Sequence, residues 1–149
     1  PGLMLYGPSS LIPPIRSQSL WTGENISKLK TEVLKVLKVE KGQPVGYGAT
    51  PSPEAGEIAI IALGYGDGFL NQYAGASIES ESGVIGRVLK PVNMDMIQVF
   101  FNEEINLKEK LFIWKAGESQ MEKLCQHSRM IPYEVMCLVG HRIPREYTL

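Results

Sequence analysis

The sequence has few of the residues that build disulfide frameworks and metal sites, with two cysteines and two histidines among 149 residues. Cys125 and Cys137 lie 12 positions apart, with no second pair and no histidine at metal-ligand spacing. A zinc site and a disulfide scaffold are therefore not expected, and both thiols are predicted to be reduced and structural. We therefore expect no metal in the functional site of this protein.

Long apolar runs and an excess of one charge are also missing. The longest apolar stretches, such as residues 58–64, are far shorter than the ~20 residues that a membrane-spanning helix needs, and no signal pattern opens the chain. Lys and Arg number 15 and Asp and Glu 16, for a formal net charge of −1 without blocks of like charge. We expect neither nucleic acid nor a membrane as partner, and a cytoplasmic location by default.

Glycine and proline, by contrast, are frequent, with 15 and 10 copies. The runs between them are short, which favours strands over helices. The pattern of residues 29–41 fits a helix or a strand, and its valines and following turn favour a strand. Strands are predicted at residues 29–41, 45–47, 57–63, 76–79, 83–89, 94–101 and 110–115.

The remaining segments predict two short helices and a loop. Residues 119–128 place apolar side chains on one side, and Pro132 suits the first turn of a second helix. Residues 8–14 are predicted to form a loop because of their prolines. The spacing of the strands favours a single mainly β domain, either a barrel or a sandwich.

Two glycine-framed tyrosines are the candidates for chemistry. Three glycines within residues 64–68 indicate positive φ angles or a close approach, although a tight turn explains them without a ligand. Tyr47 lies between two glycines, and a phenol becomes a base only beside cations or donors that stabilise the phenolate. The residues alone leave a core or surface tyrosine as the simpler interpretation.

Asp95 is a candidate for a structural ion pair. It lies between two methionines in the strand predicted for residues 94–101, so it should face away from both. An inward carboxylate needs a basic partner such as Arg87.

Several segments occur in an order that identifies a family. The sequence resembles the C-terminal domain of bacterial alanine racemase, a pyridoxal phosphate (PLP) enzyme that interconverts L- and D-alanine. The matching segments run nearly end to end: Pro1-Gly2-Leu3-Met4-Leu5-Tyr6-Gly7, Gly46-Tyr47-Gly48-Ala49-Thr50, Gly64-Tyr65-Gly66-Asp67-Gly68, Gly86-Arg87-Val88, Met94-Asp95, Ile131-Pro132-Tyr133-Glu134-Val135 and Arg142-Ile143-Pro144-Arg145.

The resemblance implies a mainly β, barrel-like C-terminal domain with one or two short helices. In the family this domain follows a PLP-binding (β/α)₈ barrel, which this sequence lacks. Residues 1–7 are expected to be a remnant of the end of that barrel, and residues 8–149 the C-terminal β domain. Because the sequence opens on Pro1, we expect a fragment of a longer protein.

The resemblance also implies roles for three substrate-facing residues. Racemisation at a planar α-carbon needs a base on each face. The family's PLP lysine, which belongs to the missing barrel, serves one face, and Tyr47 serves the other in the partner subunit of a homodimer. Tyr65 would stand at the entrance to that site, and Met94 would offer its backbone N–H to the substrate carboxylate.

Three further residues are implied to bind the cofactor. A dianionic phosphate needs several donors. Tyr133 would donate its hydroxyl to the PLP phosphate, together with the backbone N–H groups of Gly2 and Leu3.

The sequence departs from the family pattern at two places. Between Arg87 and Met94 stand six residues where the family has two, and Asn71 replaces a family arginine. Because loop length costs only about 0.6 kcal/mol per doubling, residues 88–93 are predicted to form a dispensable loop before a strand that starts at Met94.

These expectations combine into one function, with two alternatives. The full-length homodimer would interconvert L- and D-alanine in the cytoplasm and supply D-alanine for peptidoglycan, while the fragment alone would be inactive. The alternatives are a domain of a broad-specificity amino-acid racemase and a non-catalytic β-barrel interaction module.

Overall fold

The computed structural model describes residues 2–8, 15, 18, 20, 23–117 and 119–148. The loop predicted for residues 8–14 lies outside the described residues, except for Pro8.

The strands of the described residues are β1 (Leu29–Val39), β2 (Pro44–Val45), β3 (Thr50–Pro51), β4 (Gly56–Ile61), β5 (Ser77–Ser80), β6 (Ile85–Val88), β7 (Ile97–Phe101) and β8 (Lys110–Trp114). Six of them close a barrel in the order β1, β4, β7, β6, β5, β8, and β8 pairs with β1 to complete it. Strands β2 and β3 form a separate hairpin. All the pairings are antiparallel.

Two α-helices follow the barrel strands in the part of the chain that the structure describes, α1 (Gln120–Ser128) and α2 (Pro132–Leu138), the second with proline in its first turn. Short 3₁₀ helices cover Gly2–Tyr6, Tyr65–Asp67 and Asn71–Tyr73. The prediction of a mainly β, barrel-like domain with one or two short helices is confirmed. Within segment 29–41, which is ambiguous by pattern, residues 29–39 form β1, which pairs with β4 on one side and β8 on the other.

Alternation along the strands divides the buried side chains between two faces. Ile61 of β4 and Val99 of β7 belong to the main core, whereas Ile58 and Phe100 belong to a second cluster. We call the second group the outer cluster; its buried members are Val39, Val45, Ile58, Leu89 and Phe100. The β2–β3 hairpin contributes Val45, so it packs on the outer side of the barrel wall.

Helix α1 packs its apolar side on the main core through Met121, Leu124 and Cys125. Burial raises the pKa of the Cys125 thiol to about 11. Cys137, in contrast, is exposed, and neither cysteine forms a disulfide. The prediction that both thiols are structural therefore fits Cys125 and does not fit Cys137.

The strand predicted for residues 94–101 is shorter than expected, because β7 begins at Ile97. Residues 94–96 are exposed, while all five residues of β7 are buried. The outer cluster covers the side of β7 that alternation would leave to solvent.

The segment 88–93, predicted to be a dispensable loop, is a loop but is anchored to the barrel. The segment does leave the strand after Val88, but Leu89 lies in the outer cluster and Val92 in the main core. The Leu89 N–H donates to the carbonyl of Gln98 at 2.8 Å. Two apolar anchors therefore fix this segment to both sides of the barrel wall.

Within the described part of the chain, no helix is long and apolar enough to cross a membrane. The same residues contain no group of three or more His, Cys, Asp or Glu side chains arranged to hold a metal ion.

Candidate functional site

Tyr47 lies in the turn of the β2–β3 hairpin. Val45 pairs with Thr50, and the four residues between them close with a 3.3 Å hydrogen bond from Ala49 N to Gly46 O. Gly46 and Gly48 have φ angles of 63° and 81°, a region that glycine adopts without strain. The turn leaves the Tyr47 side chain 77% exposed, so its phenol is available to a group outside this chain.

The structure brings the loops of Tyr65 and Met94 together. Tyr65 N donates to Asn93 O at 3.0 Å, and Gly66 N donates to Met94 O at 2.9 Å. A Cβ on Gly64 would lie only 2.2 Å from Met94 O, so this close approach requires glycine. Tyr65 and Met94 remain 49% and 51% exposed, which leaves both side chains accessible on the same pair of loops.

Arg142 joins these two loops from the C-terminal segment. Its Nε and Nη2 lie 3.1 and 2.9 Å from Asp67 Oδ1, and its Nη1 lies 2.8 Å from Asp95 Oδ1. Hydrogen bonds to Asp95 and then to Asp67 hold the pKa of the guanidinium above its ordinary value. One arginine thus fixes the loop of Tyr65 against the loop of Met94.

The ion pair suggested for Asp95 is present, but its partner is Arg142 and not Arg87. Because β7 starts at Ile97, Asp95 lies before the strand and the alternation argument does not apply to it. Its carboxylate is exposed and reaches a cation from a distant part of the chain.

Asn71 holds the inserted segment. Its Oδ1 accepts a 3.0 Å hydrogen bond from Val92 N. The two departures from the family pattern, at residue 71 and at residues 88–93, are thus in direct contact. This contact ties the segment that leads to Met94 to the 3₁₀ helix that follows the Tyr65 loop.

Tyr133 and Gly2 are brought together from opposite ends of the chain. Tyr133 is the second residue of α2, and a Cβ on Gly2 would lie 2.2 Å from its hydroxyl oxygen. Leu3 follows Gly2 in the same 3₁₀ helix. Because Gly2 has no Cβ, the Tyr133 hydroxyl can lie close to this stretch of backbone. A hydroxyl together with backbone N–H groups is a set of donors that fits a phosphate group.

Sequence reasoning assigned no role to Arg142, Asn71 or Gln98. Arg142 belongs to one of the matching segments, and Asn71 was noted only as a departure from the family. Gln98, a buried polar residue that contacts the Tyr47 turn, gave no signal in the sequence.

Comparison with known proteins gives consistent matches over this fold. Residues 26–147 match the family model "Alanine racemase, C-terminal domain". An alanine racemase from Staphylococcus carnosus is 32% identical over 155 aligned positions, which cover 98% of this chain and 39% of that protein.

Solved structures match as well. The alanine racemase of a D-cycloserine-producing Streptomyces lavendulae superposes with a TM-score of 0.86 at 25% identity, covering 99% of this chain and 40% of its own. A histidine racemase from Leuconostoc mesenteroides gives 0.69 at 25% identity, over 76% of this chain and 32% of its own. The chain therefore spans less than half the length of these relatives.

Proposed function

The chain belongs to the family of alanine racemase C-terminal domains, and from this we propose that it forms the catalytic-base domain of a PLP-dependent alanine racemase. In this proposal the domain acts within a longer homodimeric protein. Residues 1–7 belong to the end of an N-terminal PLP-binding barrel, and residues 8–149 form the β domain.

Tyr47 is the proposed catalytic residue. Racemisation requires proton removal on one face of the α-carbon and proton delivery on the other, so two bases must stand on opposite sides. PLP, when bound, withdraws electrons from the substrate and acidifies its α-proton. The phenol oxygen of Tyr47 takes or returns the proton on one face, in the site of the partner subunit.

One observation carries this assignment. Tyr47 is 77% exposed in the turn of a short hairpin whose base is packed in the outer cluster. A side chain on such a turn can enter another subunit's site while its backbone stays fixed. This exposure supports action across an interface.

The proposed cofactor contacts use Tyr133 and the backbone of Gly2 and Leu3. The Tyr133 hydroxyl lies directly against the α-carbon of Gly2, where any larger residue would occupy the space. A phosphate there would accept hydrogen bonds from the hydroxyl and from backbone N–H groups. These residues orient the cofactor and take no part in proton transfer.

The proposed substrate contacts are Met94, through its backbone N–H, and Tyr65. Both lie on the loops that Arg142 joins. A half-exposed tyrosine gives an apolar wall with a polar edge, which limits the size of the side chain that enters. Arg142 keeps this wall at a constant distance from Met94 and is a positioning residue.

The family resemblance supports two wider proposals. The physiological reaction supplies D-alanine for peptidoglycan, and it takes place in the cytoplasm. The second candidate function is a broader amino-acid racemase, which the structural match to a histidine racemase favours.

The assay that tests the proposal measures interconversion of L- and D-alanine by the PLP-loaded full-length protein, with serine and histidine as competing substrates. We expect kcat/KM for alanine to exceed that for either competitor by at least about tenfold, a ratio typical of discrimination by side-chain size. Comparable values for histidine would favour the broader racemase. No turnover of any amino acid would favour a non-catalytic module.

A further inference from the structure

Gln98 is a polar residue buried on the outer side of the barrel wall. It alternates with the inward-facing Val99 on β7, pairs with Ile60 of β4 and accepts the Leu89 N–H at its backbone carbonyl. Only 9% of the residue is exposed. A carboxamide buried beside apolar side chains destabilises the fold unless its polar atoms are hydrogen-bonded.

The Gln98 carboxamide lies against Gly46, the residue before Tyr47. A Cβ on Gly46 would stand 2.3 Å from Oε1, 2.5 Å from Nε2 and 2.7 Å from Cδ. The side-chain oxygen nevertheless accepts no hydrogen bond from any residue that the structure describes. An apolar residue of similar size would fill this position without burying an unpaired polar atom, so the amide calls for a functional explanation.

We propose that Gln98 is a positioning residue for Tyr47. Its carboxamide packs against Gly46 and so determines where the turn at residues 46–49 lies on the barrel wall. Its Oε1 is an acceptor for a backbone N–H of that turn. This inference rests on the proposed role of Tyr47 as a base. A hydrogen bond from a turn N–H to this acceptor would hold the turn, and Tyr47 with it, against the barrel wall. Gln98 touches no substrate and acts only through Tyr47.

The same contacts give the inserted segment a second role. Leu89 lies beside Gln98 and packs in the outer cluster with Val45, the last residue of β2. Residues 88–93 therefore support the hairpin of Tyr47 as well as leading to Met94.

Gln98→Met in the full-length protein tests the inference, because it keeps the length of the side chain and removes both polar atoms. We expect kcat for alanine to fall about tenfold or more, since small displacements of a catalytic group have large effects. KM and the melting temperature should stay near those of the parent. Gln98→Asn, which withdraws the amide from Gly46, should lower kcat similarly.

Gln43→Met is the matched control. Gln43 lies at the open end of the same hairpin, and its Oε1 accepts a 3.0 Å hydrogen bond from Glu40 N. Its kcat should equal that of the parent. A fall as large as that of Gln98→Met would mean that any loosening of the hairpin suffices, and the specific role of Gln98 would be rejected.

The double variant Tyr47→Phe with Gln98→Met separates this inference from the proposed function. If Gln98 acts through Tyr47, the double variant has the kcat of Tyr47→Phe alone. A further loss, or an unchanged kcat in Gln98→Met while Tyr47→Phe is impaired, rejects the role of Gln98. An unchanged kcat in Tyr47→Phe rejects the proposed function of Tyr47 instead.

Discussion

Tyr47→Phe is expected to lower kcat of the full-length racemase by about 10²- to 10⁴-fold, the usual contribution of a general acid or base. The substitution removes only the phenol oxygen, which is the proposed proton carrier on one face of the substrate. Because Tyr47 is 77% exposed, the free energy of unfolding should change by less than about 0.5 kcal/mol. Steady-state kinetics in both directions, with a denaturation curve, measure the two effects.

Tyr147→Phe provides the control for this variant. Tyr147 is 90% exposed near the C-terminus and has no proposed role. Its kcat should match that of the parent. If Tyr47→Phe also kept kcat within about twofold, Tyr47 would not be a base.

Deletion of residues 89–92 is expected to have the largest effect on stability. It removes the buried side chains of Leu89 and Val92, each of which contributes about 1.5–3 kcal/mol. The hydrogen bonds of their N–H groups to Gln98 and Asn71 are lost as well. The free energy of unfolding of the 149-residue chain should therefore fall by about 3–6 kcal/mol, as measured by urea denaturation.

Lys90→Ala is the matched substitution, since Lys90 is the exposed residue between the two anchors. It should change stability by less than about 0.5 kcal/mol. A deletion as harmless as Lys90→Ala would show that the barrel closes without these anchors and that the segment is dispensable after all.

Most strands could be predicted from the sequence because glycine and proline separate short apolar runs. The order of the strands in the barrel could not be predicted, since β4 pairs with β1 and also with β7, which lies far from β4 in the chain. Periodicity also failed at the start of β7. There the main core buries one face of the strand and the outer cluster buries the other, so the sequence carries no polar-apolar alternation to mark its first residue.

The candidate site, like the fold, could be predicted only in part from the sequence. The family resemblance led to Tyr47, Tyr65, Met94, Tyr133, Gly2 and Leu3, and their proposed roles remain predictions. The contacts that hold their loops could not be found in one sequence, because they join distant residues. Arg142 reaches Asp67 across 75 positions, and Gln98 meets Gly46 only because the hairpin folds back on the barrel.

The central claim is that Tyr47 acts in the site of the partner subunit, and mixed dimers test it most directly. Two inactive full-length variants are dissociated together and reassociated: Tyr47→Phe, and a variant whose PLP-anchoring lysine in the N-terminal barrel is replaced by alanine. Random pairing makes about half of the dimers mixed, and each mixed dimer would contain one intact site of two, so activity should return to about a quarter of wild type. If Tyr47 served its own subunit, every site would lack one base. No recovery of activity, with subunit exchange verified by mass spectrometry, would contradict the account.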